Sequence, residues 1–192
     1  PFLLCELVQK VNHRFPQLNL LLREDTTTNL LQALRHGELD VLILALPVEI
    51  EGMESRVVGQ DPFRMVISAN QVDSVPMPIR YADLPNESVF LLEKEHCLTE
   101  HAVSACKLTD KEKINPFTAT SLHTLVQMVA NGLGTTFIPQ MAIDHGLLHN
   151  QNLVVIDPPG QQAYRDIGLV WRPSSSRSNT FNQLAEVVSE LL

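Results

Sequence analysis

Leu3, Leu4, Leu7, Val8, Val11 and Phe15 recur at the spacing of one helix face, and Pro16 ends the run. Leu18 to Arg23 predicts a strand. Thr26, Thr27 and Thr28 offer hydroxyls suited to capping a helix over Asn29 to Arg35, and Gly37 marks its stop. Val41 to Leu46 is an unbroken apolar run, the pattern of a strand buried on both faces. Short strands follow at Val57 to Gly59 and at Met65 to Ala69, separated by Asp61-Pro62.

Pro76, Pro78 and Pro85 make Ser74 to Pro85 a connection. A strand at Ser88 to Leu92 comes next, then a helical segment from Cys97 to Cys106 and a short strand near Pro116 to Ala119. Thr120-Ser121 begins an amphipathic helix in which Leu122, Leu125, Val126, Val129 and Ala130 share a face, and Gly132 closes it. Thr135 to Ile138 predicts a strand, and Pro139 opens a short helix to His145. Strands at Leu153 to Ile156 and at Arg165 to Arg172, stopped by Pro173, precede a final helix from Thr180 to Leu191.

Strands alternating with helices predict an α/β fold with parallel sheets. The order suits two subdomains joined by two crossover segments, residues 1–62 with 166–192 and residues 63–165. Ligands of such folds sit in the cleft between the halves, near strand C-termini.

The chain has 192 residues, long enough for a sizeable core, and 44% of them are hydrophobic, as in an ordinary globular protein. No apolar run approaches the length needed to span a bilayer, so no membrane association is expected. The formal net charge is −8 with Lys and Arg scattered. Phosphate contacts dominate nucleic-acid affinity, so direct DNA binding by this chain is not expected. Three cysteines, an odd number, argue against a secreted disulfide framework and favour a reducing, cytoplasmic setting. The chain opens on Pro1 with no basic, apolar leader pattern.

Two of the cysteines lie in the run from His96-Cys97 to Ala105-Cys106. A helix over this run rises about 1.5 Å per residue and holds the two Cα atoms roughly 13 Å apart. A disulfide needs them within about 7 Å. Three readings stay open here: unrelated core thiols, a metal site with His96 and His101, or a redox switch that refolds the segment. C-x8-C lacks the tight knuckle of structural zinc, so no metal is expected. An apolar strand ends just before Cys97, and a thiol opening a helix feels the positive end of the helix dipole, although Glu93, Glu95 and Glu100 oppose it.

Thr120 to Pro139 carries a helix-Gly-x-Gly-strand-Pro pattern, and Leu34-Arg35-His36-Gly37-Glu38-Leu39-Asp40-Val41-Leu42-Ile43 a second one. Together they resemble the effector-binding domain of LysR-type transcriptional regulators, over essentially the whole chain. His96-Cys97-Leu98 with Cys106, Ala119 to Leu122 and Ile167 to Pro173 are similar to the peroxide-sensing members of that family. The resemblance implies two Rossmann-like, periplasmic-binding-protein-like subdomains and no enzymatic turnover or cofactor. It implies a peroxidatic Cys97, oxidised to sulfenic acid, and a resolving Cys106. It places Thr27, His96, Glu100 and Arg165 at the peroxide pocket, with Arg165 supporting the thiolate and Glu100 standing where Asp is usual. It further implies a homodimer through this domain, a tetramer of the full-length protein, and a glutaredoxin- or thioredoxin-type reductant. DNA would be bound only through a winged helix-turn-helix domain that this chain does not include.

Taken singly, these residues have plainer uses. Thr27 would cap a helix, His96 would be a satisfied polar group at a strand end, and Arg165 a surface ion-pair partner. Cys5 reads as a core or interface thiol, and His13, His36, His123, His145 and His149 as surface or edge residues. The competing functions are a thiol peroxidase, a LysR-type domain that binds a small metabolite with incidental cysteines and, more remotely, a periplasmic solute-binding protein.

Overall fold

A computed structural model describes residues 2–75, 77–93, 97–158 and 163–192. In chain order its elements are α1 (Leu4–Arg14), α2 (Thr27–His36), β1 (Val41–Leu46), β2 (Glu54–Ser68), β3 (Val89–Leu92), α3 (Cys97–Ala105), β4 (Ile114–Ala119), α4 (Leu122–Ala130), β5 (Thr135–Pro139), α5 (Gln140–Asp144), β6 (Leu153–Ile156), β7 (Tyr164–Trp171) and α6 (Ser178–Ser189). The chain divides into two units, Pro1–Asp61 with Arg165–Leu192 and Pro62–Tyr164.

In the first unit, β1 pairs antiparallel with β7, from Val41 opposite Trp171 to Leu46 opposite Asp166. Thr26 caps α2 by accepting from the Asn29 N–H at 3.4 Å, and Gly37 ends it at φ 82°. Leu31 and Leu34 of α2 then pack on Leu42, Leu44 and Leu46 of β1 and on Val170. Fully burying one such side chain contributes about 1.5–3 kcal/mol. Elsewhere in this unit, α1 buries Leu7 and Val11, and α6 buries Phe181, Leu184 and Val188. Arg14 of α1 pairs with Glu190, just past α6, at 2.7 Å.

In the second unit, the later half of β2 lies between β5 and β6, antiparallel to both. β3 runs parallel to β5 and to β4. Every residue of β3 and β5 is buried, so both faces of these strands are covered. One core gathers Phe63, Met65, Ile67, Leu91 and Phe137 from the strands with Ala102 of α3 and Leu108 after it. The buried threonines of β5 satisfy their hydroxyls on neighbouring strands, Thr135 on the Val66 carbonyl and Thr136 on the Phe90 carbonyl.

Four expectations are corrected. Leu18 to Arg23 is extended but forms no strand. Leu21 and Leu22 are 87% and 53% exposed, and no ladder partner lies beside the segment among the described residues. β1 is buried on one face only, with alternate residues half-exposed, because α2 covers the face of Leu42, Leu44 and Leu46. The doubly buried strands are β3 and β5. The two short strands around Asp61-Pro62 are one strand of fifteen residues, β2. Pro62 lacks an N–H but sits where the chain changes partners, and Phe63 resumes donation, to the Ala163 carbonyl at 2.8 Å. The pairing is mixed rather than parallel: β1 runs antiparallel to β7, and β2 antiparallel to β5 and β6, while β3 runs parallel to β4 and β5.

The approach of β5 to β3 tests this packing. Thr135 donates to the Ser88 carbonyl at 2.8 Å. A Cβ added at the preceding Gly134 would collide with that same carbonyl oxygen and lie 2.9 Å from the Phe90 ring. Backbone cannot move aside as a flexible side chain can, so Gly134→Ala is expected to cost about 3 kcal/mol, the upper range for overpacking. A urea unfolding series measures it.

Candidate functional site

The candidate site is α3 and its two ends, all within the second unit. Thr99, in its first turn, donates its hydroxyl to the Leu92 carbonyl at 2.9 Å and ties the helix to the end of β3. Leu98, Ala102, Val103, Ala105 and Cys106 face the core formed with Met65, Ile67, Leu91 and Phe137. Cys97 and Glu100 lie on the exposed face. The apolar positions thus follow helical spacing, and the two thiols fall on opposite sides of the solvent boundary.

The end of α3 is fastened by backbone hydrogen bonds. Cys106 donates to the Ala102 carbonyl at 2.9 Å, so the helical repeat reaches the second thiol. Lys107 then turns into the left-handed region, at φ 52°. This lets Lys107 donate to Ser104 at 3.2 Å and Leu108 to Val103 at 3.0 Å, while the Leu108 side chain is buried.

The reduced cysteines are chemically unequal. Cys97 is exposed and Cys106 half-buried. Burial pushes the Cys106 thiol up from 9.0 to about 12, because the thiolate loses hydration it does not regain from the core. At neutral pH Cys106 is therefore protonated and a poor nucleophile. Helical geometry holds the two Cα atoms about 13 Å apart, beyond disulfide reach. Cys97 is open to reagents in solution, and the two thiols cannot bond while α3 keeps its helical pitch.

The remaining expected site residues fall in different places. His96 lies outside the described residues. Thr27 opens α2 in the first unit and is half-buried, while capping is done by its neighbour Thr26. Arg165 belongs to the first unit and is no surface ion-pair partner. Its Nε and Nη2 donate to Asp61 Oδ2 at 3.0 and 2.8 Å, with side chains only 12% and 1% exposed. Cys5 is exposed on α1, so it is not a core thiol. Among the described residues no cluster of three His, Cys, Asp or Glu could hold a metal ion, and no helix is long and apolar enough to cross a membrane.

Sequence reasoning missed Thr99, Lys107 and Asp61. Asp61 had no clear signal, because Glu54, Arg56, Gln60 and Arg64 lie on the same strand. Lys107 had a faint one, a helix stop without glycine.

Two outcomes follow. Raising the pH above 9 favours the opened segment, where Cys106 releases its proton at its ordinary value, over the packed one, where it holds it to about 12. The helix therefore keeps its full contribution below pH 9 and loses it progressively between 9 and 12. Alkylation followed by peptide mapping checks this: Cys97 labels first at neutral pH, and Cys106 labelling rises steeply over that alkaline window. Asp61→Asn leaves the Arg165 guanidinium without its buried carboxylate and should cost about 3 kcal/mol, read from the urea midpoint.

Comparison with known proteins places this geometry. Residues 1–192 match the LysR substrate binding domain family. The reduced form of the regulatory domain of OxyR2 from Vibrio vulnificus is 88% identical, with a TM-score of 0.96, covering 100% of this chain and 90% of that one. The DNA-binding transcriptional dual regulator OxyR of Escherichia coli is 35% identical over 98% of this chain and 61% of that protein. The HTH-type transcriptional regulator EstR of Acinetobacter baylyi is 31% identical over 100% of this chain and 63% of that protein. The chain thus spans less than two thirds of these two regulators. It belongs to the LysR substrate-binding domain family, a mixed α/β fold of two periplasmic-binding-protein-like subdomains.

Proposed function

We propose that this chain is the hydrogen peroxide-sensing regulatory domain of a LysR-type transcription activator. The observation that carries the reading is α3 itself, with an exposed thiol at its start, a buried one at its end, and a helical pitch that keeps them apart. Likeness to the OxyR2 regulatory domain and to OxyR supports the choice of peroxide as oxidant.

The chemistry runs in two balanced steps. The Cys97 thiolate sulfur attacks one peroxide oxygen; the S–O bond forms as the O–O bond breaks, and hydroxide leaves, taking a proton to become water. Cys106 sulfur then attacks Cys97 sulfur. The S–S bond forms, the S–O bond breaks, and a second water departs with the Cys106 proton. The two sulfurs lose two electrons and peroxide gains them. Likeness to OxyR suggests that Thr27, His96, Glu100 and Arg165 take part in handling peroxide, and the Asp61 pair fixes the Arg165 guanidinium. Closing the disulfide requires α3 to come apart, and that change is the output to the dimer and, in the complete protein, to the tetramer and its DNA-binding heads. A glutaredoxin- or thioredoxin-type dithiol would reset it.

The match to the LysR substrate binding domain family supports a second reading, a metabolite-responsive domain in which the cysteines are incidental. Under that reading Cys97→Ala leaves the response unchanged and a carboxylate metabolite raises the melting temperature. A thiol peroxidase would instead show sustained turnover with a reductant.

The deciding experiment counts thiols in the denatured protein before and after about one equivalent of peroxide. The expected result is a fall from three free thiols to one, with a Cys97–Cys106 peptide found on digestion. Retention of all three, or loss only under large excess, overturns the proposal. In Cys106→Ser, dimedone should trap sulfenic acid at Cys97 and no lasting intramolecular disulfide should form.

A further inference from the structure

Among the described residues, four helices end in the same backbone motif. In each, one residue turns left-handed, its N–H returns to the carbonyl three back, and the next N–H returns to the carbonyl five back. At α2 the left-handed residue is Gly37, with Glu38 donating to Ala33 at 2.9 Å. At α4 it is Gly132, with Leu133 donating to Met128 at 3.2 Å, and at α5 it is Gly146, with Leu147 donating to Ala142 at 3.0 Å. These glycines have φ of 82°, 77° and 82°. At α3 alone among them the position is filled by a residue with a side chain, Lys107 at φ 52°.

The difference has a direction. In the left-handed region a Cβ crowds the following carbonyl, a penalty glycine escapes. The strain exists only while α3 is closed, because an opened segment returns Lys107 to ordinary backbone. It therefore raises the reduced, helical state relative to any state in which the segment has unwound. At the opposite end of α3 the Thr99 hydroxyl donates to the Leu92 carbonyl, and no described residue there is left-handed. Cys106 adjoins Lys107, so the strained position lies at the end that holds the half-buried thiol.

We propose that Lys107 is the set-point residue of the switch: its left-handed backbone primes α3 to release Cys106 and so fixes how readily the disulfide closes. The inference rests on the redox reading above and deepens it. It assigns control of the response to a residue that touches neither peroxide nor the reacting sulfurs.

Lys107→Gly, Lys107→Asn and Lys107→Ala test it in the purified protein. Glycine should stabilise the closed helix about fivefold. At about 30 mV per tenfold for a two-electron couple, the Cys97–Cys106 midpoint in a thiol–disulfide redox buffer then rises by about 20 mV. Amide exchange at Cys106 and Leu108 in the reduced protein should slow about fivefold, a readout that needs no peroxide. Asparagine, which tolerates this conformation, should fall between. Alanine removes the charge but keeps the Cβ and should match Lys107. Sulfenic acid formation at Cys97 should keep its rate in all three. If the wild-type disulfide forms but glycine leaves midpoint and exchange unchanged, the set-point role is overturned and the redox reading stands. If alanine moves the midpoint as far as glycine, charge rather than backbone sets it and the proposal fails. If the wild-type protein forms no disulfide, both readings fall.

Discussion

The rise of an α-helix, about 1.5 Å per residue, is the constraint on which the candidate site depends. Nothing else need separate Cys97 from Cys106. As long as α3 stands, its geometry keeps the two sulfurs out of bonding range. The same helical repeat turns Ala102, Val103 and Cys106 onto the core while leaving Cys97 and Glu100 exposed. Separation of the thiols and burial of one of them are thus a single structural fact. A bond between them cannot form while the helix keeps its packing, and in the proposed switch this would tie a local oxidation to a change large enough for a partner to detect.

Such a device needs a rigid floor and a helix that is only just stable. The floor is β3 and β5, buried throughout, brought so close that Gly134 has no room for a methyl group and cross-tied by the hydroxyls of Thr135 and Thr136. The helix spans nine residues, too few to persist on its own, so its stability comes from packing on that floor. Thr99 and Val103 are β-branched and Ser104 competes for backbone hydrogen bonds, so intrinsic propensity adds little. The apolar contacts of Leu98, Ala102 and Val103 therefore carry most of what holds the segment in place.

Much of this was legible in the sequence, for identifiable reasons. Helical periodicity located α1, α4 and α6, and glycine stops located the ends of α2 and α4. The cysteine run with its preceding apolar strand located α3. What failed depended on neighbours. Leu18 to Arg23 has the composition of a strand but no strand to pair with, and composition cannot report a partner. The apolar run of β1 matches that of a strand buried on both faces, yet α2 covers only the face of Leu42, Leu44 and Leu46. Asp61-Pro62 looked like a break because proline removes a donor, whereas the chain changes pairing partners at that point. At the site, Cys97 and Cys106 could be read from spacing and resemblance. Thr99 and Asp61 could not, because their partners, Leu92 and Arg165, are set by tertiary contact. Arg165 was misjudged in kind. An arginine on a strand end reads as a surface ion pair until the burial of both groups is known, and burial turns a pair of little value into one that is costly to break.

The raised thiol of Cys106 gives the proposed sequence of events its order. A thiol shifted from 9.0 to about 12 has its thiolate population at neutral pH lowered roughly a thousandfold. While α3 is closed, Cys106 is therefore protected twice, by distance from Cys97 and by protonation. Opening removes both protections together, since the movement that brings the sulfur within reach also returns it to water and to ordinary acidity. In the proposed sequence an oxidant meeting the closed protein would react at Cys97, and Cys106 would become competent only when it can reach the sulfenic acid. A buried Cys106 that kept a low pKa would invite direct oxidation and a dead-end product. An exposed Cys106 at the same spacing would be reactive without any unfolding. Burial at the end of the helix satisfies both demands, and it asks of the sequence only that a cysteine occupy the core-facing position beside a helix stop that yields.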